Sequence, residues 1–182
     1  MTQNDAPQPA APVVLVRRIA SADLGGATGA PSDSSGSRLR LPLTADQRSS
    51  LRGHRRSSCG RDLVLQLPRG EALQPGDTLF SADGAVQVLV EAAPEPVMRV
   101  RSADPLALLQ AAYHLGNRHV AMELHPDHLV LLQDSVLADL LRHRSLQVEC
   151  CQAPFLPEAG AYAGLGGAHS HSHSHSRSHD RP

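Results

Sequence analysis

Eleven of the 182 residues are histidine, and five of them stand close together near the C-terminus. His169, His171, His173 and His175 alternate with serine, and His179 follows. A spacing of two puts neighbouring imidazoles on one side of an extended chain, about 6.6 Å apart. Two of them can converge on one ion where the chain bends, and the surrounding serines and glycines permit a bend. Imidazole suits Zn, Cu, Ni and Fe. The competing readings are an affinity tag or a solvated low-complexity tail. Tags are usually unbroken histidine runs, whereas serine, Arg177 and Asp180 interrupt this one. The tail is therefore expected to bind a transition metal.

The other histidines divide by context. His119 follows Gly116-Asn117-Arg118 and opens a strand, where its ring can project from a sheet edge. Spacing alone favours a solvated surface histidine there. His114 adjoins an apolar helix position, Tyr113, and reads as structural. His125 and His128 flank a tight turn, H-P-D-H, as a candidate second metal site beside the simpler reading of solvated turn residues. His54 lies among Arg52, Arg55 and Arg56, where like charges make it a poor cation ligand. Cys150 and Cys151 are adjacent, so on a strand their thiols point apart, and a buried cysteine packs as a small hydrophobe. With Cys59 they make an odd count, a poor disulfide framework that suits a reducing compartment.

Catalytic signatures are missing from the sequence. There is no HExxH, no P-loop and no serine or cysteine nucleophile motif, so the chain is expected to be neither an enzyme nor a GTPase. The net charge of −1 gives no global attraction to nucleic acid or acidic membranes. The arginines between Arg48 and Arg61 suggest a nucleic-acid-binding rival, but the strands offer no aromatics on which bases would stack. No apolar run reaches the length of a membrane span. The first residues carry no positive n-region, and Val13–Val16 is too short for a signal core. The expectation is a soluble, cytoplasmic protein without nucleic-acid or membrane partners.

The elements that must position these histidines follow from periodicity. Residues 1–12 are polar and Pro-rich and are expected to be disordered. Residues 13–93 read as short strands and turns without a helical period, a β-rich N-terminal domain. Its strands are Val13–Ile19, Arg38–Leu43 and Asp62–Leu67, and an Asp83-Gly84 hairpin joins TLFSA to AVQVLV. Ser21–Ser37 reads as a long loop. Pro94-Glu95-Pro96 is expected to be a linker. Residues 97–157 then read β-α-β-β-α-β, the ferredoxin-like motif. Asp104-Pro105 starts its first helix, with Leu106, Leu109 and Tyr113 as apolar face and Gly116-Asn117 as the stop. Val120–Leu124 and Leu129–Leu132 are strands around His125-Pro126-Asp127. Asp134 caps a second helix with Val136, Leu137, Leu140 and Leu141 inward, and Leu146–Cys150 is the last strand. The fold class is thus α+β, ending in a His-rich tail, 163–182, expected to be disordered.

Four segments carry a resemblance that runs from about residue 13 to the end. They are LPRGEALQPGDTL (Leu67–Leu79), YHLGNRHV (Tyr113–Val120), DSVLADLLR (Asp134–Arg142) and FLPEAGAY (Phe155–Tyr162), followed by the His-rich tail. Together they resemble the urease accessory protein E family, the nickel metallochaperones. The resemblance implies a homodimer through the C-terminal domains. It also implies delivery of Ni2+ to the urease active site, in a complex with an accessory GTPase and the other proteins of urease pre-activation. It places His119 at a position where one histidine from each protomer holds a metal, reversing the preference drawn from spacing alone. Where many members carry a His-Asp-His before the second helix, this chain has Gln133-Asp134-Ser135, so the peripheral site those members build there is not expected. The residues alone leave Zn2+ and Cu2+ as other ions, and a generic metal-storage protein as the alternative function.

Overall fold

The computed structural model describes residues 11–24 and 38–159; residues 1–10, 25–37 and 160–182 lie outside the described residues. β1 (Val13–Ile19), α1 (Ser21–Leu24), β2 (Leu39–Leu43), α2 (Ala45–Ser49), β3 (Arg52–Arg56), β4 (Asp62–Gln66), β5 (Thr78–Ser81) and β6 (Gln87–Ala92) come first. Their six strands form one mixed sheet in the order β2-β6-β5-β1-β4-β3. β1 runs parallel to β4 and β2 to β6, and the other neighbours are antiparallel. Period-two alternation buries Leu41 and Leu43, Leu63 and Leu65, and Val88 and Val90, while Arg40 and Gln66 face outward. With aromatics at 2 %, leucine and valine fill this core.

Three elements here escape a reading by hydrophobic period. α1 is a four-residue helix at the start of Ser21–Ser37, the segment whose composition reads as loop. α2 is one turn long, too short to show a period, and is set by a capping box. The Thr44 hydroxyl accepts from Gln47 N at 3.3 Å, and the Gln47 side chain accepts from Thr44 N at 3.1 Å. β3, RGHRR, has no apolar face because it is an edge strand, where charge protects unpaired backbone groups.

β7 (Pro94–Arg101), α3 (Pro105–Gly116), β8 (Met122–Leu124), β9 (His128–Leu132), α4 (Ser135–His143) and β10 (Gln147–Pro154) follow. The strands form an antiparallel sheet ordered β10-β7-β9-β8. The β-α-β-β-α-β order is the one the sequence predicts. The expected linker, however, is strand: Pro94 to Arg101 pairs with Pro154 to Gln147 along its whole length. The second neighbour, β9, begins only at Val97. Pro94 and Pro96 therefore sit where β7 is still an edge and their missing N–H groups break no ladder.

α3 and α4 cover one face of this sheet, with Met98, Val100, Leu129 and Leu131 against Leu108, Ala111, Leu115 and Leu141. The inward stripe of α3 is Leu108-Ala111-Leu115. Leu106, Leu109 and Tyr113, expected inward, are 58 %, 67 % and 67 % exposed. Both stripes have helical spacing, so periodicity establishes the helix but does not choose between them. On α4, Leu141 is buried and Leu137 and Leu140 are half-buried as expected, but Val136 is exposed.

The opposite face packs Val97, Val130 and Phe155 against Ala45 of α2. Two buried charges join the sheets at this seam. Arg48 donates to the Leu43 carbonyl at 3.1 Å and the Phe155 carbonyl at 2.5 Å, and Glu95 accepts from Ala45 N at 2.8 Å at the start of α2. Burial pulls the Arg48 pKa down, and the nearby Glu95 charge opposes that.

Candidate metal-binding site

His119 owes its position to the way α3 ends. Neither Gly116 nor Asn117 takes the left-handed conformation that stops the helix. Asn117 is still right-handed at φ −63°, and His119 occupies the left-handed position at φ +57°. Its N–H donates to Gly116 O at 2.9 Å, and Val120 N donates to Leu115 O at 3.1 Å. These are the two bonds of a Schellman cap, with His119 where glycine is usual. Leu115 is buried, and Val120 packs on the same core, so the cap is anchored by hydrophobic contact on both sides. Histidine is among the residues enriched in this conformation, but it is still disfavoured relative to glycine there. The imidazole is thrown out into solvent at the C-terminal end of a helix whose Leu106-Leu109-Tyr113 stripe is also exposed.

His125 and His128 close the hairpin between β8 and β9. His125 N donates to His128 O at 3.0 Å just beyond the last ladder pair, Leu124 with Leu129. The two rings stack, with centroids 4.2 Å apart and planes within 5°. Each ring has a carboxylate of its own: His125 Nε2 lies 2.8 Å from Glu123 Oε2, and His128 Nδ1 lies 2.7 Å from Asp127 Oδ1. The hydrogen bond from His128, assisted by the charge of Arg101, holds the Asp127 carboxyl below its ordinary pKa. Glu123 and Asp127 were not singled out from the sequence. The available signal was Glu123-x-His125, whose spacing of two places both side chains on one face of a strand.

The remaining candidates scatter. His54 lies on β3 among its arginines, His143 bonds to the Asp139 carbonyl of its own helix, and His114 stands edge-on to exposed Tyr113. Cys150 is exposed and Cys151 faces the seam. The Cys59 thiol is held below its ordinary pKa by hydrogen bonding to Ser57, in a turn far in sequence from any other cysteine. Among the described residues, no three ligand-type side chains converge on one position. His169, His171, His173, His175 and His179 lie outside the described residues. At the end of the described residues, Leu156 N donates to Glu123 Oε1 at 2.6 Å and Glu158 N to Met122 O at 2.8 Å, so residues 156–158 run along the outer edge of β8. No helix among the described residues is long and apolar enough to cross a membrane.

Known proteins match both halves of the chain. A family model described as UreE urease accessory protein, N-terminal domain, matches residues 23–93, and one described as its C-terminal domain matches residues 95–181. A urease accessory protein UreE of Parasynechococcus marenigrum is 62 % identical over 126 residues, covering 69 % of this chain and 84 % of that protein. One from a Synechococcus species is 55 % identical over 154 residues, 84 % of each chain, and one from Thermosynechococcus vestitus is 52 % identical over 124 residues, 68 % of this chain and 86 % of that one. With the two family models matching residues 23–93 and 95–181, the second of them spanning His119 and the hairpin histidines, the chain belongs to the UreE urease accessory protein family.

Proposed function

We propose that the chain is a nickel metallochaperone: it holds Ni2+ as cargo on histidine and gives it up for assembly of the urease active site. The observation that carries this reading is His119, a solvent-facing imidazole fixed in the left-handed conformation at the end of a helix with an exposed apolar stripe. One histidine is too few ligands for a tight site. A two-fold axis next to Leu106, Leu109 and Tyr113 would bury that stripe and bring two His119 side chains together from one sequence position. We read residues 97–157, with the strand that leads into them from Pro94, as the ferredoxin-like, dimer-forming unit and residues 13–93 as a separate β-rich domain.

An ion held by two imidazoles keeps open positions, which is what transfer requires. An incoming ligand binds before an outgoing one leaves, so the ion is never bare. The tail histidines are suited to fill those positions. His169 follows Ala159 by ten residues, a chain that reaches at most about 35 Å, and Leu156 and Glu158 bond to β8. The receiving partners in this reading are the accessory GTPase and the urease pre-activation complex, in the cytoplasm. Zn2+ and Cu2+ compete for the same imidazoles, because ligand type alone ranks Cu2+ first.

The test is calorimetric titration of the full chain with Ni2+ beside a urease-activation assay. A full-length variant with the five tail histidines changed to alanine is expected to keep the Ni2+ shared across the dimer, held less tightly. Adding His119→Ala should remove that ion and impair activation. Undiminished tight binding of one ion per dimer after His119→Ala would overturn the assignment.

A further inference from the structure

We propose that His125 and His128 form a second cation site on each chain, a two-histidine clamp for a divalent ion that favours imidazole, such as Ni2+ or Zn2+. The site is separate from the one proposed at His119. The three residues of β8, about 10 Å of strand, lie between them.

The first support is placement. The hairpin brings the two rings together as a cross-strand pair, where Cβ atoms stand about 5 Å apart. The second is the protonation pattern. A carboxylate only accepts, so Glu123 fixes the proton on His125 Nε2 and Asp127 fixes it on His128 Nδ1. His125 Nδ1 and His128 Nε2 are then both left with free lone pairs. A carboxylate on the far nitrogen of each ring is the arrangement that orients metal-binding histidines and raises their basicity. Two unrelated solvated turn histidines have no reason to share it.

The surrounding charges leave the balance favourable to a cation. Arg101 is in register with His128 and lies 3.8 Å from Asp127, and Arg99 is on the same strand face. Against these stand Glu123, Asp127 and Glu149, the last in register with Arg99. Metal lies in the plane of each imidazole it binds, about 2.0–2.1 Å from nitrogen. The parallel rings must therefore pivot toward each other as the ion enters, breaking the stack. Glu123 also bonds Leu156 N, so the clamp sits on the strand edge along which the chain proceeds to the tail.

The experiment uses the full-length chain with His119 and the five tail histidines changed to alanine, titrated with Ni2+ and with Zn2+ by calorimetry. One ion per chain is expected to remain. Adding His125→Gln or His128→Gln should each weaken it at least tenfold, and Asp127→Asn about tenfold. Ring signals of His125 and His128 should shift together at one equivalent of Zn2+ in proton–carbon NMR spectra. Absence of binding at millimolar metal, or binding insensitive to either substitution, overturns the clamp. A chain that keeps His119 but carries both glutamines separates the two readings. Loss of the interface ion there, with the hairpin ion intact in the first variant, would sink the interface reading and leave the clamp standing.

Discussion

The amide of Val120 donates to the carbonyl of Leu115 across 3.1 Å, and that bond closes the turn in which His119 sits at φ +57°. A left-handed backbone disfavours any side chain with a Cβ by roughly 1–2 kcal/mol. His119→Gly is therefore expected to stabilise the fold by about 1 kcal/mol in urea denaturation while removing the proposed ligand. His119→Ala should leave stability near that of the parent. A glycine variant less stable than the alanine variant would mean that the imidazole itself supports the cap.

Arg48 is 4 % exposed and satisfies two buried carbonyls, Leu43 O and Phe155 O, one from each half of the seam. Arg48→Met keeps the volume and removes both donors, leaving two buried acceptors and the Glu95 carboxylate without compensation. About 2–4 kcal/mol of destabilisation is expected. Glu95→Gln keeps an acceptor for Ala45 N, and its effect should be smaller, about 1 kcal/mol. Parallel chemical denaturation of the two variants checks the ranking.

Much of this architecture is legible in the sequence because it is written in short-range terms. Asp104 and Asp134 cap α3 and α4, Asp83-Gly84 turns a hairpin, and alternation marks the buried strands. The errors share one cause, a choice made by distant residues. Leu106-Leu109-Tyr113 and Leu108-Ala111-Leu115 are equally periodic, and the sheet under α3 takes the stripe containing small Ala111. Pro94-Glu95-Pro96 has a linker's composition, but β10 pairs with it. In the same way, H-P-D-H shows a turn with two histidines, each with a carboxylate close by in sequence, while the stacking of the two rings emerges only once β8 and β9 are paired.

Acid should release metal before it unfolds the protein. Imidazole binds metal only when neutral, and free histidine titrates near about 6.5. Two ligating imidazoles then weaken Ni2+ binding by about a hundredfold between pH 7.5 and 5.5. The Asp127 carboxyl moves the other way. Its pKa is depressed in the folded chain, so its contribution is present above the ordinary carboxylate value of about 3.9 and is lost only as pH falls through the lower folded value. Ni2+ titrations at the two pH values, with circular dichroism alongside, should show the affinity falling and the fold unchanged. Affinity constant down to pH 5.5 would mean that carboxylates hold the ion.

The exposed stripe of α3 makes the most direct claim on quaternary structure. Leu109 and Tyr113 are each two-thirds exposed in the single chain, so changing both to serine should alter its stability by no more than about 0.5 kcal/mol apiece. If the stripe is the dimer surface, each substitution instead removes a central anchor, about 2 kcal/mol per protomer where a buried tyrosine or leucine is lost. The doubly substituted chain should then dissociate at least a hundredfold more readily in sedimentation equilibrium. It should also lose the Ni2+ held by paired His119 side chains, although His119 is untouched. Leu124→Ser, on β8, is the control. That side chain is 54 % exposed but lies off the stripe, and its change should leave both association and the shared ion as they were. A dimer that survives serine at Leu109 and Tyr113 with its affinity intact would place the two-fold axis elsewhere, and with it the geometry that makes one His119 per chain sufficient.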